Sequence, residues 1–154
     1  MSRKLKLSSG PADDITIIGI ACQLKDYRMA FELNRSLHFD FCRIRDFSVP
    51  IDNEPGALSD YPFYCYKNKE DRRDYFLIPN RNQHGLLIAN PKGTDYLIVV
   101  DDHIPEPYHT NLIRKIQSLP QVQLAFGIDP EKTKNMDLLL EDIELHALEA
   151  RQVP

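Results

Sequence analysis

The segment from Ile15 to Val49 restricts the possible folds of this chain more than any other segment does. Residues Ile15 to Cys22 are dense in β-branched side chains, which is typical of a buried strand. Asp26 is placed to cap the N-terminus of a helix that runs to about Leu37, and Phe39 to Val49 has the composition of a second strand. The segment is therefore predicted to form a strand–helix–strand (βαβ) unit.

A second unit of the same kind is predicted near the other end of the chain. Thr94 to Val100 has the pattern of a strand, apolar residues of helical period follow between Leu112 and Leu119, and Val122 to Phe126 alternates as a final strand would. Between the two units, the aromatic-rich segments Tyr61 to Tyr66 and Asp74 to Ile78 are predicted to form an antiparallel hairpin.

Together these elements predict an α+β fold of two βαβ-like units with additional antiparallel strands. One of the additional strands, Leu86 to Ala89, is predicted to pair with Thr94 to Val100 through a tight turn. The arrangement resembles a ferredoxin-like or ACT-like sandwich, with the helices on one face of the sheet. We expect residues 13–130 to form this single domain, preceded by a flexible segment or an edge strand over residues 1–12.

The helical period also predicts which residues form the core. Five residues of the first helix are predicted to share one face, namely Tyr27, Ala30, Phe31, Asn34 and Leu37. We expect Phe31 and Ile18 to lie in the core between this helix and the sheet. A buried amide must find hydrogen-bond partners, so Asn34 is expected to bond a neighbouring loop.

Residues 131–154 are predicted to form a C-terminal amphipathic helix and tail. The helix is expected to begin near Glu131 and to carry one apolar face made of Met136, Leu139, Leu140, Ile143 and Ala147. The segment holds more apolar residues than a helix surrounded by water would, so its apolar side should be covered. The covering surface belongs either to the chain's own domain or to a second copy, and we expect the second copy, in a two-fold homodimer.

Charge and cysteine content argue against several classes of protein. The formal net charge is -4, which disfavours nonspecific nucleic-acid binding, because that binding depends on Lys and Arg. No apolar run approaches the ~18 residues of a membrane helix, and the first residues lack the apolar region of a signal peptide. The three cysteines, Cys22, Cys42 and Cys65, have no CxxC spacing, so we expect unbridged thiols in a cytoplasmic protein.

Several sequence blocks resemble the IPExxVDY family of small bacterial proteins. These blocks are LKDYR with Leu33-Asn34, TDYLIVV, and LPQVQLAFGIDP, and the resemblance covers about Ile15 to Pro130. The motif that names the family falls on Ala89 to Tyr96, where only Asp95 and Tyr96 match it. The resemblance implies no activity, cofactor or catalytic residue.

Two dipeptides in these blocks, Tyr27-Arg28 and Asp95-Tyr96, are candidates for a binding site. If the two βαβ units pack pseudo-symmetrically, each contributes a tyrosine near the end of a strand, and Arg28 can pair with Asp95. With Asn34, these residues are predicted to line a groove for a ligand or partner. The alternative is a structural role, with tyrosines that cover the core and a surface ion pair that adds little stability.

A metal site is a competing hypothesis. Three carboxylates and two imidazoles occur between Asp101 and His109, and mixed nitrogen and oxygen ligands suit zinc, iron or manganese. A small metal-dependent hydrolase would use Asp101, Asp102, His103 and Glu106. Two prolines in this segment indicate a loop rather than rigid elements, so we predict no metal.

An RNA-associated protein is the other alternative. Its binding surface would use the basic residues Arg43, Arg45, Lys67, Arg72 and Arg73. Basic runs beside turns are more often solvated surface, and this argues against RNA binding.

Patterns of known catalytic chemistry do not support an enzyme. The chain has no GxSxG nucleophile elbow and no glycine-rich phosphate loop, so we predict no catalytic residues and no cofactor. ACT-like domains bind small molecules or partner subunits without catalysing a reaction. The resemblance in fold therefore implies a non-enzymatic interaction or small-ligand-sensing module whose protein or small-molecule partner is unknown.

Overall fold

A computed structural model describes residues 14–152, which form a six-stranded antiparallel sheet with helices on both faces. The predicted segment over residues 1–12 lies outside the described residues. The strands are β1 (Thr16–Cys22), β2 (Cys42–Pro50), β3 (Leu58–Asn68), β4 (Arg73–Pro79), β5 (Arg81–Asn82), β6 (Gly85–Leu86), β7 (Tyr96–Val100) and β8 (Val122–Ile128). The helices are α1 (Asp26–Leu37), α2 (Tyr108–Gln117) and α3 (Met136–Gln152), and a 3₁₀ turn covers Pro130–Lys132.

The strand order of the sheet is β2-β3-β4-β7-β1-β8, and every neighbouring pair is antiparallel. It follows that β7 and β8 run parallel with β1 between them, while β1 and β2 run parallel at a greater separation. Both predicted βαβ units are therefore present. The order β8-β1-β7-β4 is that of a ferredoxin-like sandwich, which β3 and β2 extend at one side, so the predicted α+β fold is confirmed.

One predicted strand pair is wrong. Leu86 does not pair with the strand after residue 94; it pairs with Arg81 in the small sheet of β5 and β6. The β7 strand instead lies between β4 and β1, with all five of its residues buried. An uninterrupted apolar run is the pattern of a strand covered on both faces, whereas an edge hairpin strand alternates.

The helices cover both faces of the sheet. The expectation that all of them lie on one face is wrong, because α3 lies on the face opposite α1 and α2. Met29 and Leu33 of α1 and Ile116 of α2 pack with Ile18 and Ile98 on one face. The apolar side of α3 packs on the opposite face with residues that include Ile17, Phe63, Leu97 and Val99. Successive strand residues point to opposite faces, so each central strand contributes to both cores.

The predicted face of α1 is wrong by about one residue. Ile18 is buried as expected, but Phe31 is 53% exposed and Tyr27 also faces outward, while Met29 and Leu33 are fully buried. The sequence offers both an aromatic and an aliphatic stripe at helical spacing. The sheet beneath α1 already supplies large rings from Tyr64, Tyr75 and Tyr96, and the slimmer aliphatic side chains of the helix pack against them.

The N-terminus of α1 also differs from the expectation. Lys25, not Asp26, is the N-cap residue, and its side chain makes no capping hydrogen bond. The Asp26 carboxylate instead accepts a hydrogen bond from the Tyr64 hydroxyl at 2.5 Å. This contact ties the start of α1 to β3.

The C-terminal helix begins at Met136, because residues near Glu131 form the 3₁₀ turn. Its predicted apolar face is present, with Met136, Leu140, Ile143 and Ala147 all buried. This face packs on the sheet of its own chain, which removes the reason for expecting a second copy to cover it. Among the described residues, no helix has the length and apolar content needed to cross a membrane.

Candidate functional site

A cleft of about 390 Å³ opens where β1 ends and α1 and β7 begin. The antiparallel register brings these ends together, since Tyr96 lies opposite Ile20 of β1 and Pro79 of β4. Nine residues line the cleft: Cys22, Gln23, Lys25, Asp26, Pro62, Pro79, Arg81, Asp95 and Tyr96. Two of them are basic and two are acidic, so the wall offers both signs of charge.

Asp95 is the more enclosed of the two acids. Its Oδ2 atom accepts a hydrogen bond from the backbone amide of Cys22 at 2.8 Å, and its Oδ1 atom lies 3.1 Å from the Arg81 guanidinium. The Asp95 side chain is 14% exposed, whereas that of Arg81 is 55% exposed. The carboxylate is therefore held rigidly while most of the guanidinium faces solvent.

Asp26 is held by two residues that are themselves neighbours. Arg43 of β2 and Tyr64 of β3 lie opposite each other in the strand register. The Tyr64 hydroxyl donates to Asp26, and an Arg43 nitrogen lies 3.8 Å from the same carboxylate oxygen. The position of this cleft acid thus depends on the pairing of β2 with β3.

Lys25 contrasts with both acids. It is exposed, and its ammonium makes no ion pair with any residue in the range 14–152. It also precedes the first turn of α1, whose amide groups no cap side chain satisfies. This end of the cleft therefore presents the Lys25 ammonium and the free amide groups of the first helical turn beside the Asp26 carboxylate.

The hydroxyl and thiol groups that line the cleft or bond its residues are held in their neutral forms. Burial raises the pKa of Tyr96, whose hydroxyl donates to the Leu24 carbonyl. Burial is the larger cause that raises the pKa of Tyr64, and its hydrogen bond to Asp26 is the second. Burial likewise raises the pKa of the Cys22 thiol, which donates to the Gln121 carbonyl at 3.2 Å. At neutral pH these groups are therefore hydrogen-bond donors rather than nucleophiles.

The structure brings only part of the predicted groove together. Asp95 and Tyr96 line the cleft, but Tyr27 and Arg28 lie on the exposed side of α1. The predicted pair between Arg28 and Asp95 is wrong, because Arg28 lies 3.6 Å from the buried Glu32. The one-residue error in the face of α1 accounts for both differences.

Asn34 does not line the cleft. Its amide nitrogen donates to the Phe41 carbonyl at 3.0 Å, and its amide oxygen accepts from the Phe41 amide at 2.8 Å. The expectation that Asn34 bonds a neighbouring loop is confirmed, and its role is to hold the connection between α1 and β2.

The three carboxylates of the alternative metal site accept hydrogen bonds from other groups of the protein. Asp101 accepts from the backbone amide of Asp74, and Asp102 accepts from Arg73 and from the amide of His103. Glu106 bonds Thr110 at the start of α2. Across residues 14–152, no three His, Cys, Asp or Glu side chains are grouped as metal ligands.

Much of the predicted basic surface is neutralised by neighbouring acids. Arg43 pairs with Asp46, Arg45 lies 3.8 Å from Glu149, and Arg73 pairs with Asp102. Such pairing lowers the positive potential that phosphate binding requires.

Sequence reasoning missed Arg81 and its neighbour Asn80. Asn80 is buried, and its side chain donates to the carbonyls of Ile88 and Thr94 and accepts from the amide of Ile88. These bonds hold the segment between Arg81 and Asp95. The only available signal was an asparagine directly after a buried strand, which is common in ordinary turns.

No protein-family model matches this chain, and no curated protein matches it.

Proposed function

We propose that this protein is a non-enzymatic ligand-binding module and that a small zwitterion of the amino-acid class occupies the cleft. The observation that carries the proposal is the juxtaposition of two basic residues, Lys25 and Arg81, with two acids, Asp26 and Asp95, around a volume of about 390 Å³. This volume lies at the small end of the range for ligand pockets.

The charge pattern favours a zwitterion over a simple anion. Lys25, with the uncapped first turn of α1, suits a carboxylate, and its ammonium has no competing ion pair among residues 14–152. Asp95 is fixed by the Cys22 amide and by Arg81, so one of its oxygens can accept from a ligand ammonium without rearrangement. A ligand carrying both groups would match both ends of the cleft.

The protonation of the cleft groups supports binding rather than catalysis. Burial raises the pKa of Cys22 and Tyr96, so neither supplies a thiolate or phenolate at neutral pH. The resemblance to the IPExxVDY family is part of the proposal as well. The two positions of its motif that this chain retains, Asp95 and Tyr96, are both cleft residues.

The proposal is tested by thermal-shift screening with the common amino acids and, separately, with nucleotides, followed by calorimetric titration of each ligand that stabilises the protein. We expect an amino acid to bind, and Asp95→Asn to weaken its binding by about tenfold or more through loss of a charged partner. Asparagine keeps an oxygen that can accept from the Cys22 amide, so the fold should persist.

Arg114→Gln is the matched control, because Arg114 is an exposed basic residue of α2 that does not line the cleft. It should bind the ligand as the parent does. Absence of stabilisation by any amino acid, or equal affinity in the parent and Asp95→Asn, would contradict the proposal.

A homodimer remains part of the proposal, now on a different surface. Leu138, Leu145 and Leu148 are exposed on the outer side of α3, opposite the face that packs on the sheet. Pairing of this side with its two-fold copy would cover all three leucines. Removing α3 is not a suitable test, because it would expose the core around Phe63.

Light scattering of full-length variants tests the dimer. We expect the parent to have the mass of two 17.8 kDa chains and Leu145→Glu to have the mass of one. Leu86→Glu changes a similarly exposed leucine far from Leu145 in the chain, and this variant should remain dimeric. A parent of single-chain mass at every concentration would rule the dimer out.

A further inference from the structure

Cys42 and Cys65 lie directly opposite each other on β2 and β3, and neither is in a disulfide. We propose that they form an oxidisable dithiol site, which reacts with a low-molecular-weight disulfide such as oxidised glutathione and closes into an intramolecular disulfide. The proposal does not depend on the cleft or its ligand.

The register brings the two residues within bonding range. Directly opposed residues of antiparallel strands have Cα atoms about 4.5–5.5 Å apart, and disulfides span Cα separations of about 4.4–6.8 Å. Opposed side chains also point to the same face of the sheet. The bond therefore requires a small approach of the two Cβ atoms and no change of register.

The surrounding residues confirm the shared face. Ile44 and Phe63, the register pair two positions away, belong to the core on the α3 side, and Cys65 packs against the same core. Tyr64, which lies opposite Arg43 in the intervening pair, belongs to the core on the other side. Cys42 consequently points to the side of the sheet on which Cys65 lies.

The position of Cys42 gives its thiol access to solvent. It is exposed, and it is the first residue of β2, which lies at the edge of the sheet. The register of β2 also shifts between Ile44 and Phe47, so this end of the strand is separated by an irregularity from the rest of the pairing. Cys65 is partly buried on the adjacent inner strand.

Because Cys42 is more exposed than Cys65, its thiol reacts first with the small disulfide. The Cys42 thiolate attacks one sulfur of the small disulfide, which forms a mixed disulfide on Cys42 and releases one small thiolate. The Cys65 thiolate then attacks the Cys42 sulfur, and the second small thiolate leaves. Overall, the two protein thiols lose two protons and two electrons, and the small disulfide is reduced to two thiols.

Cys22 serves as an internal reference. It is buried, its thiol donates to the Gln121 carbonyl, and burial raises its pKa. It should stay reduced under conditions that oxidise the pair.

The test is incubation of the native full-length protein with oxidised glutathione, followed by acid quenching, alkylation and mass spectrometry. We expect the three titratable thiols to fall to one, a mass loss of two hydrogen atoms, and a linked peptide joining Cys42 to Cys65. Cys65→Ser should stop at a glutathione adduct on Cys42, and Cys22→Ala should still form the bond.

Three results would overturn the proposal. They are a parent protein that keeps a stable glutathione adduct on Cys42, a parent that joins two chains through Cys42, and a parent that keeps all three thiols at every glutathione ratio.

Discussion

Replacing Phe63 with alanine is expected to lower the free energy of unfolding by about 3–5 kcal/mol, the usual range for a buried phenylalanine. Phe63 of β3 is fully buried, and its ring centroid lies 4.8 Å from that of His146 in α3. It also contacts the rings of Phe47 and Phe76, at 6.0 Å and 5.5 Å. The substitution removes the centre of the core that holds α3 on the sheet. Urea denaturation followed by circular dichroism measures the change.

Phe31→Ala is the matched control for this measurement. The Phe31 ring is 53% exposed on the outer side of α1, and the Arg35 guanidinium lies over it, 5.9 Å from the ring centroid. The same substitution should therefore cost less than about 1 kcal/mol at this position. If Phe31→Ala were the more destabilising of the two, the orientation of α1 on the sheet would be wrong.

Replacing Asn80 with alanine is expected to cost about 3 kcal/mol or more. The side chain is 1% exposed and makes three hydrogen bonds of 2.8–2.9 Å to Ile88 and Thr94. Alanine would leave the amide and carbonyl of Ile88 and the carbonyl of Thr94 without these partners in a dry environment. Each unsatisfied buried group costs about 1–3 kcal/mol, so their sum exceeds the volume effect of the substitution.

Asn80→Asp separates hydrogen bonding from packing, because it preserves the shape of the side chain. It places an oxygen against the carbonyls of Ile88 and Thr94 where the asparagine has a donor, so it should destabilise at least as much as alanine. Asn111→Ala, on the exposed side of α2, should change stability by less than about 0.5 kcal/mol. An Asn80→Asp protein as stable as the parent would show that these bonds contribute little.

The cleft depends on the same asparagine. The backbone N–H of Asn80 donates to the backbone carbonyl of Asp95 at 2.8 Å, and Arg81 is the next residue in the chain. Asn80 thus positions both members of the Asp95–Arg81 pair without lining the cleft itself. No local pattern marks this role, because all the partners of the side chain lie eight or more residues further along the chain.

Local periodicity by itself determined where most of the elements lie. The β-branched run of β1, the apolar stripe of α2 and the alternation of β8 each appear at the predicted positions, because these patterns depend only on neighbouring residues. The two βαβ units followed from the same local reasoning, and so did the bonding of Asn34 to a neighbouring loop, although not the identity of its partner Phe41.

Only the tertiary structure decided how those elements face one another. The sequence of α1 offers an aromatic stripe through Phe31 and an aliphatic one through Leu33, and the rings already present on the sheet determine which of them is buried. The central place of β7 and the pairing of Asp95 with Arg81 likewise depend on strands that are distant in the chain. Periodicity specifies that a surface is apolar, but the identity of the surface that covers it is a property of the whole packed molecule.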